Sequence, residues 1–281
     1  MKALFTLTPA ESKRLIAKAV VQMPEVQSAK NNGYLVVARG ITNAYILEEL
    51  TGRPMDKELY AAGVNVRGVL CALAQERRIK PVTFCKNQEL TIDPQDALKE
   101  MKPGDVLLKG ANAVDTTWTV GVDMASTEGG TVGQFVIPLT ARGVKIIFPV
   151  GLEKLIPSVL EASRICGNKT FTRSIGASIG LQPISTGKVV TEVQALEILA
   201  GVRAVPVSAG GIGGSEGSIT LVVEGDSPDV ERSLEIVESL KGERPLRGTK
   251  GICEKCPLTC EFRGRQEKDL PPYLREGADY L

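Results

Sequence analysis

Gly33-Tyr34-Leu35-Val36-Val37-Ala38 runs into Arg39-Gly40-Ile41-Thr42-Asn43 and then into Ala44-Tyr45-Ile46-Leu47-Glu48-Glu49-Leu50. The first six residues are an apolar run opened by glycine, which predicts a buried strand. A glycine-containing turn and a helix follow. Strand, turn and helix in that order are the opening of a doubly wound sheet. Upstream, Thr8-Pro9-Ala10-Glu11 is a helix start, with threonine as the cap, proline in the first turn and glutamate three residues after the cap. Downstream, strands are predicted over 64–69, 81–84, 105–109 and 144–150, with helices over 94–101 and 132–142. Strands alternating with helices point to an α/β fold whose mostly parallel sheet is covered on both faces.

From about Lys169 the rhythm changes. A strand at 189–191, a helix at 192–200, strands at 204–208 and 218–224 and an amphipathic helix at 227–240 follow one another. The order β-α-β-β-α predicts a split βαβ, ferredoxin-like unit. Three regions result: a Rossmann-like domain over 1–165, a smaller α+β domain over 166–246 and a cysteine-rich tail over 247–281. The tail holds charge, proline and cysteine, and is expected to fold round a metal and pack on the body.

With 281 residues, 43% of them hydrophobic, the chain can bury a core without staples. Its net charge of +1 gives no electrostatic footprint for nucleic acid. No run is long enough to span a bilayer, and the apolar start Met1-Lys2-Ala3-Leu4-Phe5 is too short for a signal peptide, so a soluble, cytoplasmic protein is expected. The chain contains no histidine. That removes Ser-His-Asp and Cys-His nucleophile pairs and the usual catalytic zinc sites. Acid–base work falls to Asp, Glu, Lys, Cys, Tyr or a metal-bound water.

Six cysteines in a reducing compartment suggest metal or redox chemistry rather than a disulfide scaffold. Cys253-Glu254-Lys255-Cys256-Pro257-Leu258-Thr259-Cys260 places three thiols at spacings that let them converge on one centre. A [4Fe–4S] cluster is the expected occupant, with zinc, as a structural staple of the tail, as the alternative. A fourth ligand would come from Cys71, Cys85, Cys166, a carboxylate or a second chain. Without one, an iron stays open to substrate or water.

Asp105-Val106-Leu107-Leu108-Lys109-Gly110-Ala111-Asn112-Ala113-Val114-Asp115 resembles the Asp-Gly-Ala-Asp-Glu-Val-Asp segment of ribose-5-phosphate isomerase A. Gly151-Leu152-Glu153-Lys154-Leu155-Ile156 resembles a later Asp-Glu-Ser-Lys-Leu-Val stretch of that family. Ser126-Thr127-Glu128-Gly129-Gly130-Thr131 and residues 149–158 resemble the lactate-utilisation branch of the same isomerase and CoA-transferase-like superfamily. The matches span residues 33–160, and more loosely to 245. The resemblance implies a pocket at the C-terminal ends of the strands, a phosphate-type loop at Gly40, Thr42 and Asn43, and a homodimer. The isomerase carboxylates are replaced by Lys109, Asn112 and Ala113, and its catalytic glutamate falls near Gln134, so no sugar-phosphate isomerisation is expected.

Within that frame Lys109, Asn112, Asp115 and Lys154 are candidate pocket residues, with Asp123 on the same rim. Lys109 either meets a substrate anion or pairs with Asp115. Glu128 is either a carboxylate nucleophile for acyl-CoA, as in the CoA transferases, or a first-turn glutamate favoured by the helix dipole. Gly129 and Gly130 beside it offer amides to an anion. The glycine run from Ala209 to Gly217 is an anion cradle, a lid or a hairpin connection. Trp118 is a pocket wall or core. The expected function is an enzyme acting on a small anionic metabolite, with Lys109 and Glu128 as its catalytic candidates, beside a cysteine-held metal centre, in hydro-lyase or sulfur-handling chemistry. The alternatives are acyl transfer by Glu128 with a structural zinc, and a non-catalytic metabolite sensor.

Overall fold

The structure, a computed structural model, describes residues 1–90 and 94–275. The elements in chain order are β1 (Lys2–Leu7), α1 (Pro9–Gln22), α2 (Pro24–Asn32), β2 (Tyr34–Val37), α3 (Ile41–Thr51), β3 (Gly63–Val66), β4 (Val69–Ala72), β5 (Val82–Cys85), β6 (Gln88–Leu90), α4 (Pro94–Glu100), β7 (Val106–Leu108), β8 (Ala113–Val114), β9 (Val120–Met124), α5 (Ile137–Ala141), β10 (Lys145–Pro149), α6 (Val159–Ile165), β11 (Gly180–Ile184), β12 (Lys188–Val190), α7 (Glu192–Ala200), β13 (Arg203–Gly210), β14 (Ser218–Glu224) and α8 (Ser227–Leu240).

The main sheet has six strands in the order β12-β10-β7-β2-β5-β6. The β12, β10, β7 and β2 neighbours are parallel, and β5 and β6 add an antiparallel margin. Alternate residues of the buried strands enter opposite cores. Leu35, Val37, Val106, Leu108 and Ile147 pack with α1, α2, α3 and α7, while Val36, Leu107, Ile146 and Phe148 pack with α4 and α5. Both faces are therefore dry, which is why these strands read as unbroken apolar runs.

A three-stranded antiparallel sheet, β1-β14-β13, lies beside α7 and α8. Its inward residues Phe5, Leu7, Ile219, Leu221 and Val223 join the same core as α1 and α3. Its outward face is mixed, with Leu4 exposed and Thr6 and Thr220 sharing a 2.8 Å hydroxyl contact. The ferredoxin-like unit expected over 166–246 is assembled differently. Val189 and Val190, taken as its first strand, pair in parallel with Phe148 and Pro149 of the main sheet. The N-terminal strand β1 pairs along β14 from Lys2 to Leu7. Local pattern cannot foresee this, because a period of two gives a strand but not its neighbour.

Thr8 caps α1 with the expected capping box, accepting from the Glu11 amide while Glu11 reaches back to the Thr8 N–H. The strand expected over 64–69 is instead a hairpin. Arg67 and Gly68 both have positive φ, 53° and 71°, the pattern of a two-residue turn between β3 and β4. The helix expected over 132–142 starts as a π-turn at Val132–Val136 before α5. Pro138 has no N–H to give Gln134, so the regular ladder cannot run through.

From Lys250 the tail packs on the β3–β4 hairpin, where Val69, Cys253, Phe262, Leu270 and Leu274 form a separate apolar cluster. Ala177 N–H donates to Leu70 O at 2.7 Å, and Ser178 N–H to Thr259 O at 2.9 Å, tying hairpin, 174–178 segment and tail together. The last six residues of the expected tail lie outside the described residues. Among the described residues no helix is long and apolar enough to cross a membrane.

Candidate functional site

Lys109 follows β7, Gly151 to Lys154 follow β10, Glu192 follows β12, and Gly40, Thr42 and Asn43 follow β2. All stand at the C-terminal ends of mutually parallel strands, where loops open a crevice. The antiparallel β8–β9 pair brings Asp123 to the lysines, and Asn112 Oδ1 accepts from the Asp123 amide at 3.2 Å.

The two lysines grip consecutive carbonyls of one loop. Lys109 Nζ donates to Gly110 O at 2.7 Å, and Lys154 Nζ to Ala111 O at 2.8 Å. Burial, with help from the Lys154 charge, pushes the Lys109 ammonium down to about 8. Burial also holds Lys154 below its ordinary range, although Glu153 pulls the other way. Asp123 faces both lysines, yet burial outweighs them and raises its carboxyl to about 6. Both mostly buried cations thus lie in the field of Asp123, Lys154 also in that of Glu153 and Glu192, and desolvation is the largest influence on all three groups.

Behind this group sits a second acid pair. Glu153 is in an ion pair with Lys13 at 2.6 Å. Lys13 and Lys154 hold it below the usual carboxylate range against the upward push of burial. Glu192, fully buried, accepts the Leu152 amide on both oxygens. Burial, and then the charge of Glu153, raise it to about 7. A Cβ at Gly151 would lie 1.9 Å from Glu153 Oε2 and 3.2 Å from Glu192 Oε1, so the Glu153 carboxylate sits where that side chain would be. Glu192 and Lys13 were not legible as site residues, because only the crossing of α1 and α7 over the sheet edge brings them there.

The other candidates divide. Asp115 is spent on its own loop: Oδ1 accepts from Thr117 N, Thr117 Oγ1 and Thr119 N, and Oδ2 from Val159 N at the start of α6. Those hydrogen bonds keep its carboxyl low against the upward push of burial. The acid that faces Lys109 is Asp123, not Asp115. Asn43 Nδ2 bridges Ala38 O at 2.7 Å and Leu108 O at 3.1 Å, splicing the ends of β2 and β7. Its Oδ1 is buried without a hydrogen-bond partner among the described residues. Thr42 is buried, and Gly40 caps α3 with its own N–H given to Tyr60 O. Glu128 is exposed, its amide donating to Ser126 Oγ at 3.3 Å, and Gly129 and Gly130 take positive φ beside it. Trp118 is a turn residue with φ 60° and is 40% exposed, so it is not core. The Gly210–Gly217 stretch is the exposed connection between β13 and β14.

The cysteines separate cleanly. Cys253, Cys256 and Cys260 line one cavity together with Cys71 on β4. Cys85 ends β5 opposite Tyr34, and Cys166 packs against the Ala113–Val159–Leu181 cluster. Val69, Leu70, Leu258, Phe262 and Leu274 make the remaining wall mostly apolar. The interior they enclose is small, about 20 Å³. Among the described residues no three Cys, Asp or Glu side chains converge closely enough to hold a single metal ion. Arg78, half-buried, lies in the field of Cys256 and of Arg39, and burial lowers both arginines. Their Nε atoms donate to backbone carbonyls, Ile79 O and Leu73 O, and neither joins an ion pair among the described residues.

No protein-family model and no curated protein matches the chain. A shallow depression beside Lys57 and Lys241 is a poorer candidate, since those lysines are already paired with Glu48 and Glu11.

Proposed function

We propose that the chain is an enzyme that moves a proton on a small anionic metabolite, with Lys109 as the acid–base group and Lys154 as the anchor for the anion. The observation that carries this is the pair of mostly buried lysines at the strand ends, with Asp123 the acid facing Lys109 while Lys154 also lies in the field of Glu153 and Glu192. Burying the Lys109 ammonium is costly, and an incoming carboxylate or phosphate offsets that cost. An ammonium brought to about 8 exchanges its proton near neutral pH, which suits a chain without histidine. The position at the strand ends also supports kinship with the isomerase and CoA-transferase-like superfamily, with lysine standing where the isomerases keep an acid.

The second half of the proposal is a thiolate-held metal centre at Cys253, Cys256 and Cys260. A [4Fe–4S] cluster suits it, because the thiols share one small cavity with a mostly apolar wall. The first experiment on the pocket is calorimetric titration of the intact protein with inorganic phosphate and with oxalate at pH 7. Binding that disappears in Lys109→Met supports the assignment. Equal binding by wild type and variant, or none by either, rejects it.

A further inference from the structure

We propose that Cys71 is the fourth thiolate of the cluster site, so that Cys71, Cys253, Cys256 and Cys260 each hold one iron and none is left open. This rests on the cysteine centre proposed above and changes what that centre can do. Three of the thiols sit on one loop of the tail, and the fourth comes from the middle of a sequence-distant hairpin. They meet because the tail docks on that hairpin.

The docking is built for close approach. A Cβ at Gly251 would lie 2.2 Å from Ala72 O, and one at Gly176 would lie 2.7 Å from Leu70 O. Both glycines flank Cys71 and let neighbouring backbone lie directly on β4. The Gly251 N–H points to the Cys71 thiol, and the Phe262 N–H donates to Cys260 Sγ at 3.4 Å. Amide donors to sulfur and an apolar wall are the protein's means of stabilising an iron–sulfur centre and setting its potential. A four-thiolate cluster carries net negative charge. Arg78, in the field of Cys256, provides a cation, while Lys250 near Cys253 is paired with Glu267 at 2.7 Å.

One zinc ion needs all its ligands at one point, whereas a cubane spreads its thiolates over different irons. With all four irons taken by cysteine, no iron can bind substrate. Substrate chemistry then belongs to the Lys109 pocket, and the cluster is left with electron storage or with fastening the tail.

The test is anaerobic reconstitution of the full chain with ferrous iron and sulfide. Iron and sulfide are then assayed, and electron paramagnetic resonance spectra are taken before and after ferricyanide oxidation. Wild type is compared with Cys71→Ser, Cys71→Asp, Cys256→Ser, Cys85→Ser and Cys166→Ser. Circular dichroism of the metal-free proteins checks folding, and Cys71→Asp keeps an anionic ligand should serine be lost to misfolding. About four irons per chain are expected in wild type, Cys85→Ser and Cys166→Ser, with no three-iron signal on mild oxidation. Folded Cys71→Ser or Cys71→Asp is expected to hold less iron, or to give the three-iron signal on oxidation. If both Cys71 variants match wild type while Cys256→Ser loses iron, Cys71 is not a ligand and the three-cysteine centre survives alone. If Cys256→Ser also matches wild type, or the protein takes up zinc and refuses iron, the cluster itself is rejected.

Discussion

Glu192 receives the Leu152 amide on both carboxylate oxygens, at 2.9 and 3.2 Å, and so fastens the first turn of α7 to the loop after β10. Burial and Glu153 raise this acid to about 7, above its ordinary 4.5. A group whose folded value is raised contributes stability that is fully present below the unfolded value and is lost as pH rises through the folded one. Wild-type stability is therefore expected to carry a term that declines between about pH 4.5 and 7. In Glu192→Gln that decline is expected to vanish, a difference on the order of 3 kcal/mol at most. Urea unfolding at several pH values measures it, and parallel curves for the two proteins would refute the assignment.

Lys109 gives a pH dependence in a higher window, in binding. Its ammonium is charged below about 8 and neutral above. Oxalate or phosphate affinity is expected to fall as pH rises from 7 to 9. Lys109→Met is expected to bind about tenfold more weakly or worse at pH 7, the worth of one charge-assisted hydrogen bond, and to lose the pH dependence. A variant that keeps the same pH profile would place the titrating group elsewhere.

Asp115 is expected to matter for stability rather than turnover, since both its oxygens serve the 115–119 turn and the Val159 amide. Asp115→Asn sets an amide donor against the Val159 or Thr117 N–H and is expected to cost about 2 kcal/mol in denaturant unfolding. Its anion affinity should match wild type. A loss of affinity with unchanged stability would reverse that assignment.

Gly251→Ala is expected to lift the tail from the β3–β4 hairpin, because its new methyl would strike Ala72 O. Gly63→Ala on the same hairpin is the control, since its nearest neighbour, Cys71 O, is 3.7 Å away. Limited proteolysis should cut the tail of the first variant faster than wild type and leave the second unchanged.

Thr8→Ala removes the cap that accepts the Glu11 amide, and about 1 kcal/mol of stability is expected to go with it. Thermal unfolding reads this directly. No effect would mean that Pro9 and the packing of α1 suffice to set the helix start.

The sequence by itself determined the elements whose cause is local. Thr8 and Glu11 announce α1 through a capping box that closes within one turn. Leu35, Val36 and Val37 announce a strand with two dry faces, because every residue of the run is apolar. Cys253, Cys256 and Cys260 announce a common cavity, because their spacing keeps three thiols on one loop. Lys109 and Lys154 were legible as residues at strand ends, since each follows a buried strand. Tertiary structure alone decided the rest. It chose β1 as the partner of β14 and sent Val189 and Val190 to the main sheet, since strand pairing depends on what lies across the gap, not on the strand's own pattern. It separated Asp115, which holds its loop, from Asp123, which faces the lysines, although both read as acids near the same rim. It also picked Cys71 over Cys85 and Cys166 as the thiol beside the tail. All three lie far from the tail in sequence, and only the path of the folded chain tells them apart.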